Sequence, residues 1–380
     1  MKCSGHNAST GEQVTIEFDS VITHLDPLLS AGDPSVYVAP GFIDIQVNGF
    51  AGVDYNSPEA TLRQIADSIL AMFSTGVTRF FPTVITGAPE RMTGALRNLA
   101  DARERIEDGA AMEAFHIEGP HISPDDGPRG AHPKKWVRAP DLEEFRRLQD
   151  AARGNIRLVT LAPEWPGALH YIEKLTSEGV VVSIGHTAAQ PSQIRDAIQA
   201  GATLSTHLGN GGHAMLPKFP NYLWTQLAED RLAASFIADG IHLDRDFFRT
   251  ALRSKGIERS ILITDAVMPA MCAPGFYDLG ETPVELHEDG RVVLRGGIRL
   301  AGSSLRMDRA IENAMRIGGV SLTEAIAMAT VNPARVARIR SRQRALNPGE
   351  RADLVRFRVD DGRVTIEETW MSGKRVFSRE

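Results

Sequence analysis

Four polar residues stand at the ends of four short apolar runs of the chain. The runs AFHIEG, VVVSIGH, TLSTH and ILITDA carry Glu118, His186, His207 and Asp265 at or next to their last positions. Apolar, β-leaning stretches of this length predict buried strands. If the strands are parallel, their carboxyl ends bring the four side chains together. One acid and two imidazoles form a ligand set that suits a borderline divalent ion such as Zn²⁺.

Asp265 gives this group of residues a second chemical function. Three ligands, Glu118, His186 and His207, leave a coordination position for water, whose pKa such an ion lowers to about 7. A carboxylate that is not a ligand can take a proton from that water and pass it to a leaving group. Each residue taken alone is more commonly structural, as a hydrogen-bonded histidine or a turn acid. We interpret their recurrence at four strand ends as a single site.

The middle of the chain alternates strand-like and helix-like segments. Eight strand-like runs, from PGFIDIQV to ILITDA, are separated by segments with helical periodicity. Eight such units over roughly 300 residues predict a (β/α)₈ TIM barrel, in which active sites lie at the carboxyl ends of the strands. A doubly wound sheet is the alternative, but no GxGxxG turn follows the first strand. Ser57 followed by Pro58 predicts the start of the first helix.

Both ends of the chain have the weak alternation of apolar and polar residues that is typical of β-strands. It is visible in VTIEF and SVYVA near the start, and in ADLVRFRV and RVTIEETW near the end. We therefore predict an α/β protein in two parts. Residues 1–39 and 346–380 form a small β-sandwich domain from both termini, and residues 40–345 form the catalytic barrel.

The composition favours a soluble protein that acts on a small molecule. The 380 residues are 42% hydrophobic, which is ample for a large core, and the formal net charge of -6 arises from interspersed charges. This pattern argues against a nucleic-acid or membrane partner. The first residues lack the apolar core of a signal peptide, and two cysteines are a poor disulfide framework. We predict a cytoplasmic location.

A series of motifs carries a resemblance to a known family. PGFIDIQVNG, HIEGPHISP, GAHP, SIGHT, STHLGN, DGIHL, TDA and LAGS occur in this order over nearly the whole chain. In this combination the sequence resembles the N-acetylglucosamine-6-phosphate deacetylases of the amidohydrolase superfamily. The resemblance implies a barrel enzyme that hydrolyses the N-acetyl amide of an amino sugar.

The resemblance also implies roles for individual residues. Glu118, His186 and His207 match the metal ligands, and Asp265 matches the general acid and base. His132 of GAHP matches the histidine that polarises the amide carbonyl, and His242 of DGIHL matches a histidine that contacts substrate. The further substrate contacts expected from these motifs are His121, Asn210, Gly211, Ala301 and Gly302.

Two departures from the motifs bear on the metal and the substrate. Many amidohydrolases hold a second ion with two histidines on the first strand, but this chain has Gln46, Val47 and Asn48 there. Neutral amides are poor substitutes for imidazole toward Zn²⁺, so we predict one divalent ion, with Fe²⁺, Co²⁺ or Mn²⁺ as alternatives to Zn²⁺. After Asn210 the family's phosphate-binding arginine is not evident, and Lys218 or His213 are the candidates to replace it.

Three hypotheses for the function remain open at this point. The first is deacetylation of an amino sugar, with N-acetylglucosamine 6-phosphate as the expected substrate. The second keeps the chemistry but changes the substrate to a non-phosphorylated N-acyl compound or a cyclic amide. The third is a non-catalytic sugar-binding protein, which would have no use for the proton-transfer group Asp265. A homodimer is a further expectation.

Overall fold

The computed structural model of the protein describes residues 1–28, 32–280 and 282–379. The chain begins with four strands of a sheet that its last residues complete. These strands are β1 (Lys2–Asn7), β2 (Gln13–Phe18), β3 (Ile22–Pro27) and β4 (Val36–Pro40). Along β2 the residues alternate between buried and partly exposed, as expected for a strand with one face against a core.

Eight parallel strands with intervening helices follow and form the barrel, and a short two-stranded antiparallel hairpin comes after the first of them. The elements are β5 (Phe42–Val47), β6 (Gly49–Phe50), β7 (Val53–Asp54), α1 (Leu62–Phe73), β8 (Val77–Ile85), α2 (Pro89–Arg105), β9 (Phe115–Glu118), α3 (Leu142–Ala151), β10 (Ile156–Leu161), α4 (Ala168–Ser177), β11 (Val181–Ile184), α5 (Pro191–Gln199), β12 (Leu204–Ser205), α6 (Tyr222–Ala228), β13 (Ala233–Ile237), α7 (Arg245–Lys255) and β14 (Ser260–Ile263). The sheet order is β14-β13-β12-β11-β10-β9-β8-β5. Hydrogen bonds from Asp265 N to Gln46 O, 3.0 Å, and from Asn48 N to Ala266 O, 2.7 Å, close it.

A small antiparallel sheet and three more helices separate the barrel from the final strands. The sheet contains β15 (Gly275–Leu279), β16 (Thr282–Leu286), β17 (Arg291–Leu294) and β18 (Leu300–Ser303), and the helices are α8 (Met307–Asn313), α9 (Leu322–Ala329) and α10 (Val331–Val336). Ala266 pairs with Ser303 at an isolated bridge. This contact joins β18 to the carboxyl end of β14, so the small sheet covers one side of the barrel mouth.

The last three strands complete the terminal sheet. They are β19 (Leu354–Asp360), β20 (Arg363–Met371) and β21 (Lys374–Ser378), and the sheet order is β21-β20-β19-β4-β1-β2-β3. Phe18 on β2 and Trp370 on β20 are far apart in this order, yet their ring centroids are 5.8 Å apart. The sheet therefore curls so that its two halves face each other across a core. The predicted fold class, a (β/α)₈ barrel with a small domain from both termini, is confirmed.

We propose that the division between the two parts falls where the sequence predicts it. Residues 1–39 and 346–380 then belong to the terminal domain, and residues 40–345 belong to the barrel. Residues 29–31, 281 and 380 of these ranges lie outside the described residues. Among the helices that the structure describes, none combines the length and hydrophobicity needed to cross a bilayer.

The predicted start of the first helix at Ser57 is wrong. The helix α1 begins at Leu62, because Thr61 and Gln64 form a reciprocal capping box there. The Thr61 backbone N–H donates to the Gln64 side chain at 2.9 Å, and the Gln64 N–H donates to the Thr61 hydroxyl at 3.2 Å. Ser57 instead accepts a hydrogen bond from the Glu59 N–H, 3.2 Å, in a turn that precedes the helix.

A buried ion-pair cluster around Asp353 joins the terminal sheet to the barrel. Arg79 of β8 donates two hydrogen bonds to this carboxylate, at 2.8 and 2.9 Å, and Arg342 donates one at 2.7 Å. Burial opposes ionisation, but Arg79, Arg342 and, to a smaller extent, Arg351 hold the pKa of Asp353 below its ordinary value. The stability that this shift contributes is therefore present at neutral pH and is lost as acidification passes below the ordinary carboxyl range.

We expect Asp353→Ala to lower the free energy of unfolding by about 3–5 kcal/mol, because it leaves two buried guanidinium groups without their counter-charge. Denaturant unfolding monitored by circular dichroism measures the change. Asp360→Asn, at an exposed end of the same strand, is the matched control and should change stability little. A loss under 1 kcal/mol in Asp353→Ala would contradict the assigned role of this cluster.

Candidate metal centre and active site

Three side chains from separate barrel strands converge at the carboxyl end of the barrel. His207 Nε2 lies 2.9 Å from Glu118 Oε1 and 3.1 Å from His186 Nε2. His186 Nε2 lies 3.3 Å from the same carboxylate oxygen. All three side chains are buried. The structure thus brings together the three ligands that the sequence predicts.

The donor atoms have the spacing that a bound divalent ion requires. Zinc ligands at 2.0–2.2 Å in tetrahedral geometry lie about 3.3 Å apart, close to the three distances above. His186 Nδ1 lies 2.7 Å from the Pro128 carbonyl oxygen and therefore carries the proton, which leaves the Nε2 lone pair facing the cluster. Among the described residues, Glu118, His186 and His207 form the group whose potential ligand atoms all lie within 4.8 Å of one another. The residues present therefore fit a metal ion.

The backbone at these positions adopts an uncommon conformation. His186, His207 and Asp265 have φ values of +49°, +30° and +49°, in the left-handed region that residues other than glycine rarely occupy. Such strained positions concentrate at functional sites, where surrounding structure holds them. Here the turn aims each side chain from the end of its strand into the mouth of the barrel.

Two glycines make room for the His186 ring. A Cβ atom at Gly211 would lie 2.7 Å from His186 Nδ1, and one at Gly130 would lie 3.1 Å from Cε1. Both glycines also have positive φ, of +58° and +59°. The ring is fixed by its hydrogen bond to Pro128, so it cannot move aside without losing its orientation. These glycines therefore help to position a predicted ligand.

We expect Gly211→Ala to weaken metal binding by about 10–100-fold, as changes that disturb the orientation of a ligand commonly do. Gly154→Ala is the matched control, since Gly154 has a φ of +75° but open space where the methyl group would lie. Isothermal titration of apo-protein with Zn²⁺ compares the two variants. Equal Zn²⁺ affinities of the two variants would show that contact with His186 does not weaken metal binding. Any loss relative to the unmodified protein would then come from backbone strain.

Asp265 stands beside the ligand cluster and is held by two amides of strand β5. The Gln46 Nε2 group donates to Glu118 Oε1 at 3.0 Å and to Asp265 Oδ1 at 3.1 Å. Asn48 Nδ2 donates to the same Asp265 oxygen at 2.6 Å. Burial, followed by the negative charge of Glu118, raises the pKa of Asp265 to about 6. A carboxyl group with a pKa in this range suits proton transfer near neutral pH.

Charges within the cluster shift the pKa values of its members in opposite directions. Burial opposes ionisation of Glu118, but hydrogen bonds with His186 and His207 hold its pKa well below the ordinary value. Burial also disfavours a charged His207, but the hydrogen bond to Glu118 raises its pKa. Glu118 is therefore an anionic carboxylate that favours positive charge on the neighbouring His207, which is the electrostatic environment that a cation needs.

Two further histidines face the site, and each has a fixed partner. His132 Nδ1 lies 2.9 Å from the Thr86 hydroxyl, and its Nε2 lies 3.9 Å from Glu118 Oε2. Burial, and then the neighbouring His186, lower the pKa of His132 to about 3, so the ring is neutral. With Thr86 donating to Nδ1, the Nε2–H group is available to a carbonyl oxygen.

His242 is oriented by the acid three residues before it. Its Nδ1 lies 2.6 Å from Asp239 Oδ2, and its backbone N–H donates to Asp239 Oδ1 at 2.8 Å. Burial opposes ionisation of Asp239, but the hydrogen bond to His242 lowers its pKa. The carboxylate therefore fixes the ring with Nδ1 as donor and leaves Nε2 for contact in the cavity.

A cavity of about 150 Å³ lies at this mouth of the barrel. It is lined by the proposed ligands, by Asp265 and His132, and by five further residues predicted from the motifs, which are His242, Asn210, Gly211, Ala301 and Gly302. The structure does not bring His121 into this cavity. That side chain is buried elsewhere, with Nδ1 3.2 Å from the Arg138 carbonyl oxygen and its ring packed edge-on against Tyr171.

Sequence reasoning missed four residues that hold the site together. The sequence marks Gln46 and Asn48 only as poor metal ligands, whereas in the structure their side-chain amides donate to Asp265. Thr86 lies 46 positions from His132, so no local pattern reports their contact. Asp239 is different, because an acid three residues before a histidine in DGIH is a visible signal for such a pair.

Comparisons with known proteins agree with this geometry. Residues 37–376 match the Amidohydrolase family. An N-acetylglucosamine-6-phosphate deacetylase from Danio rerio is 33% identical over 363 residues, covering 90% of this chain and 85% of the relative. An N-acetylgalactosamine-6-phosphate deacetylase from Escherichia coli O157:H7 is 32% identical over 363 residues, covering 94% and 92%.

A solved structure extends the similarity to three dimensions. The N-acetyl-D-glucosamine-6-phosphate deacetylase from Mycobacterium smegmatis, in complex with N-acetyl-D-glucosamine-6-phosphate, has a TM-score of 0.87 to this chain at 29% identity. The likeness covers 96% of this chain and 95% of that one. Together with the match over nearly the whole barrel, it confirms the resemblance found in the motifs: this chain belongs to the amidohydrolase family of metal-dependent hydrolases.

Proposed function

We propose that this amidohydrolase removes the N-acetyl group of N-acetylglucosamine 6-phosphate, giving glucosamine 6-phosphate and acetate. One observation carries the proposal. Glu118, His186 and His207 converge with Asp265 at a single cavity in the barrel mouth, and a centre of this kind suits hydrolysis of an amide. The choice of substrate follows from the similarity to N-acetylglucosamine-6-phosphate deacetylases. Asp265, as a proton-transfer group, argues against a protein that only binds a sugar.

We propose Glu118, His186 and His207 as the metal ligands. When bound, a divalent ion supplies Lewis-acid polarisation and activation of water in such a centre. Neutral His132 donates its Nε2–H to the amide carbonyl oxygen. Asp265 takes a proton as the water oxygen bonds to the carbonyl carbon, and it gives that proton to the nitrogen as the C–N bond breaks. The products are acetate and the free amine.

The remaining lining residues bind the sugar in this proposal. His242 presents Nε2, and Asn210 presents an Nδ2 group that has no hydrogen-bond partner among the described residues. The Gly211 and Gly212 backbone N–H groups donate to no other described residue, so they are free to bind an anionic oxygen. Ala301 and Gly302, on β18, also line the cavity.

Three further properties belong to the same proposal. Zn²⁺ is the ion expected at a site with one carboxylate and two imidazoles, with Fe²⁺, Co²⁺ or Mn²⁺ as alternatives. The free cysteines Cys3 and Cys272 fit a reducing cytoplasm. Met215 and Phe219, which are 89% and 71% exposed in the loop before α6, offer an apolar surface that a homodimer would cover.

We expect kcat/KM for N-acetylglucosamine 6-phosphate to exceed that for N-acetylglucosamine by more than about a hundredfold. Two charge-assisted hydrogen bonds to phosphate, each contributing ~1.5–3 kcal/mol to transition-state binding, account for this ratio. Acetate release from the two sugars measures it, and the 6-phosphorylated galactose epimer serves as a third substrate. Equal values, or no release from any of the three, would contradict the proposed substrate.

One observation favours a second candidate function. Among the described residues that line the cavity, none is a lysine or an arginine. This composition suits hydrolysis of a non-phosphorylated N-acyl sugar or a cyclic amide by the same residues. Faster hydrolysis of N-acetylglucosamine, or of another neutral amide, than of the 6-phosphate would favour this candidate.

A further inference from the structure

The cavity offers an anion hydrogen-bond donors but no formal positive charge of its own. Asn210 and Gly211 supply neutral N–H groups to it, Gly212 lines the neighbouring cavity, and the described residues that line the first cavity include neither lysine nor arginine. A phosphate dianion is bound far better when a guanidinium also contacts it, because charge-assisted bonds are roughly twice as strong as neutral ones. Any such cation must reach the cavity from its rim.

Arg299 occupies the rim next to these donors. It immediately precedes Leu300, Ala301 and Gly302, which line the cavity, and its Nη1 donates to the Gly130 carbonyl oxygen at 3.2 Å. Gly130 is itself part of the cavity lining. The exposed guanidinium therefore meets the cavity wall at this carbonyl, and its other N–H groups make no hydrogen bond to a described residue.

The residue that binds Arg299 and one of the neutral donors both pack against the His186 ring. Gly130, which binds Arg299, and Gly211 both approach this ring closely enough that a Cβ atom would collide with it. A Cβ atom at Gly127 would likewise lie 3.1 Å from the Gly212 carbonyl oxygen, so the two loops touch. Gly130, whose carbonyl binds the guanidinium, and Gly211 therefore both pack against His186 in the lining of the same cavity.

The other cations of the neighbouring loops already have partners. Arg129 forms an ion pair with Asp126 and donates to the His132 carbonyl oxygen at 2.7 Å. Lys218 is exposed, with Nζ 5.8 Å from the centre of the Phe219 ring. His213 Nδ1 lies 3.1 Å from the Tyr222 hydroxyl. Arg299 alone among these combines a position on the cavity wall with a guanidinium fork that is open to a ligand.

We propose that Arg299 is a specificity-determining residue that binds the phosphate group of the substrate together with the Gly211 and Gly212 N–H groups. The guanidinium comes from the same chain as the metal ligands, through the β17–β18 connection, and takes the place of the arginine missing after Asn210. This inference rests on the proposed function, since it assigns the phosphate of that substrate to particular donors.

The test compares Arg299→Gln with Arg295→Gln. Arg295 is a matched control, because it lies in the same connection and is exposed like Arg299, but it stacks on Phe276, 4.5 Å from the ring centre, instead of contacting the cavity lining. For each variant, kcat/KM is measured for N-acetylglucosamine 6-phosphate and for N-acetylglucosamine, and bound metal is determined. We expect Arg299→Gln to lower the ratio of the two values by about tenfold or more, chiefly through KM, and Arg295→Gln to preserve it.

The outcomes separate this inference from the proposed function. If the unmodified enzyme prefers the 6-phosphate and Arg299→Gln keeps that preference, the function stands and the role of Arg299 is overturned. If the unmodified enzyme shows no preference, the phosphate assignment fails, and Arg299 fails with it. A structural effect of the substitution would lower both values together and leave the ratio unchanged, which also overturns the inference. Arg299→Lys, which keeps the charge but loses the fork, should restore part of the ratio.

Discussion

A His207→Ala variant is expected to lose its divalent ion and its hydrolytic activity together. The imidazole lies within 3.1 Å of both other proposed ligands, so its removal leaves two donors for the ion. Because such an ion contributes several kcal/mol to transition-state stabilisation, we expect kcat to fall by at least about a thousandfold. Elemental analysis of the purified variant and acetate release from N-acetylglucosamine 6-phosphate measure the two effects.

His170→Ala is the matched control for this prediction. His170 is an exposed histidine on α4, away from the cavity, so its loss should leave metal content and turnover unchanged. A His207→Ala enzyme that retains one tightly bound ion and normal turnover would exclude His207 as a ligand. The same comparison can be repeated with His186→Ala and Glu118→Ala.

Asp265→Asn should keep the metal but lose turnover. The amide preserves the shape of the side chain and can still accept hydrogen bonds from Gln46 and Asn48, which now donate to Asp265 Oδ1. It cannot accept the proton of the attacking water, so kcat should fall by ~10²–10⁴-fold, the range typical of general acid–base catalysis. Steady-state kinetics and elemental analysis give the two readouts.

Asp246→Asn controls for the change of charge. Asp246 is exposed on the first turn of α7 and has no place in the cavity, so this variant should match the unmodified enzyme. Turnover near normal in Asp265→Asn would assign the proton transfer to another group. Loss of the ion as well would show that Asp265 also holds the metal.

The barrel and the proposed ligands were predictable because their determinants are local. A buried parallel strand is a short apolar run, and the residue at its end is delivered to the mouth whatever the details of packing. Glu118, His186, His207 and Asp265 each follow this rule. The sequence mispredicts the start of the first helix because two capping signals compete within a few residues, and the reciprocal Thr61 and Gln64 pair prevails over Ser57.

The contacts that hold the site were not predictable, because they join residues far apart in sequence. Gln46 reaches Glu118 and Asp265 across 72 and 219 positions, and the chain carries no local mark of either contact. His121 is the reverse case, because its motif predicts a substrate contact but the structure does not place it in the cavity. It lies three residues from Glu118 in sequence, but packing against Tyr171 of α4 takes its side chain away from the cavity. Proximity in a motif is therefore weaker evidence for a site than position at a strand end.

Titration of the metal-free enzyme with Zn²⁺, followed by acetate release from N-acetylglucosamine 6-phosphate, tests the central claim most directly. With Glu118, His186 and His207 as the ligands, and with Gln46 and Asn48 engaged by Asp265, activity should rise linearly and stop at one ion per chain. Activity that needs two ions per chain, or that is complete without any, would contradict a one-metal hydrolytic centre.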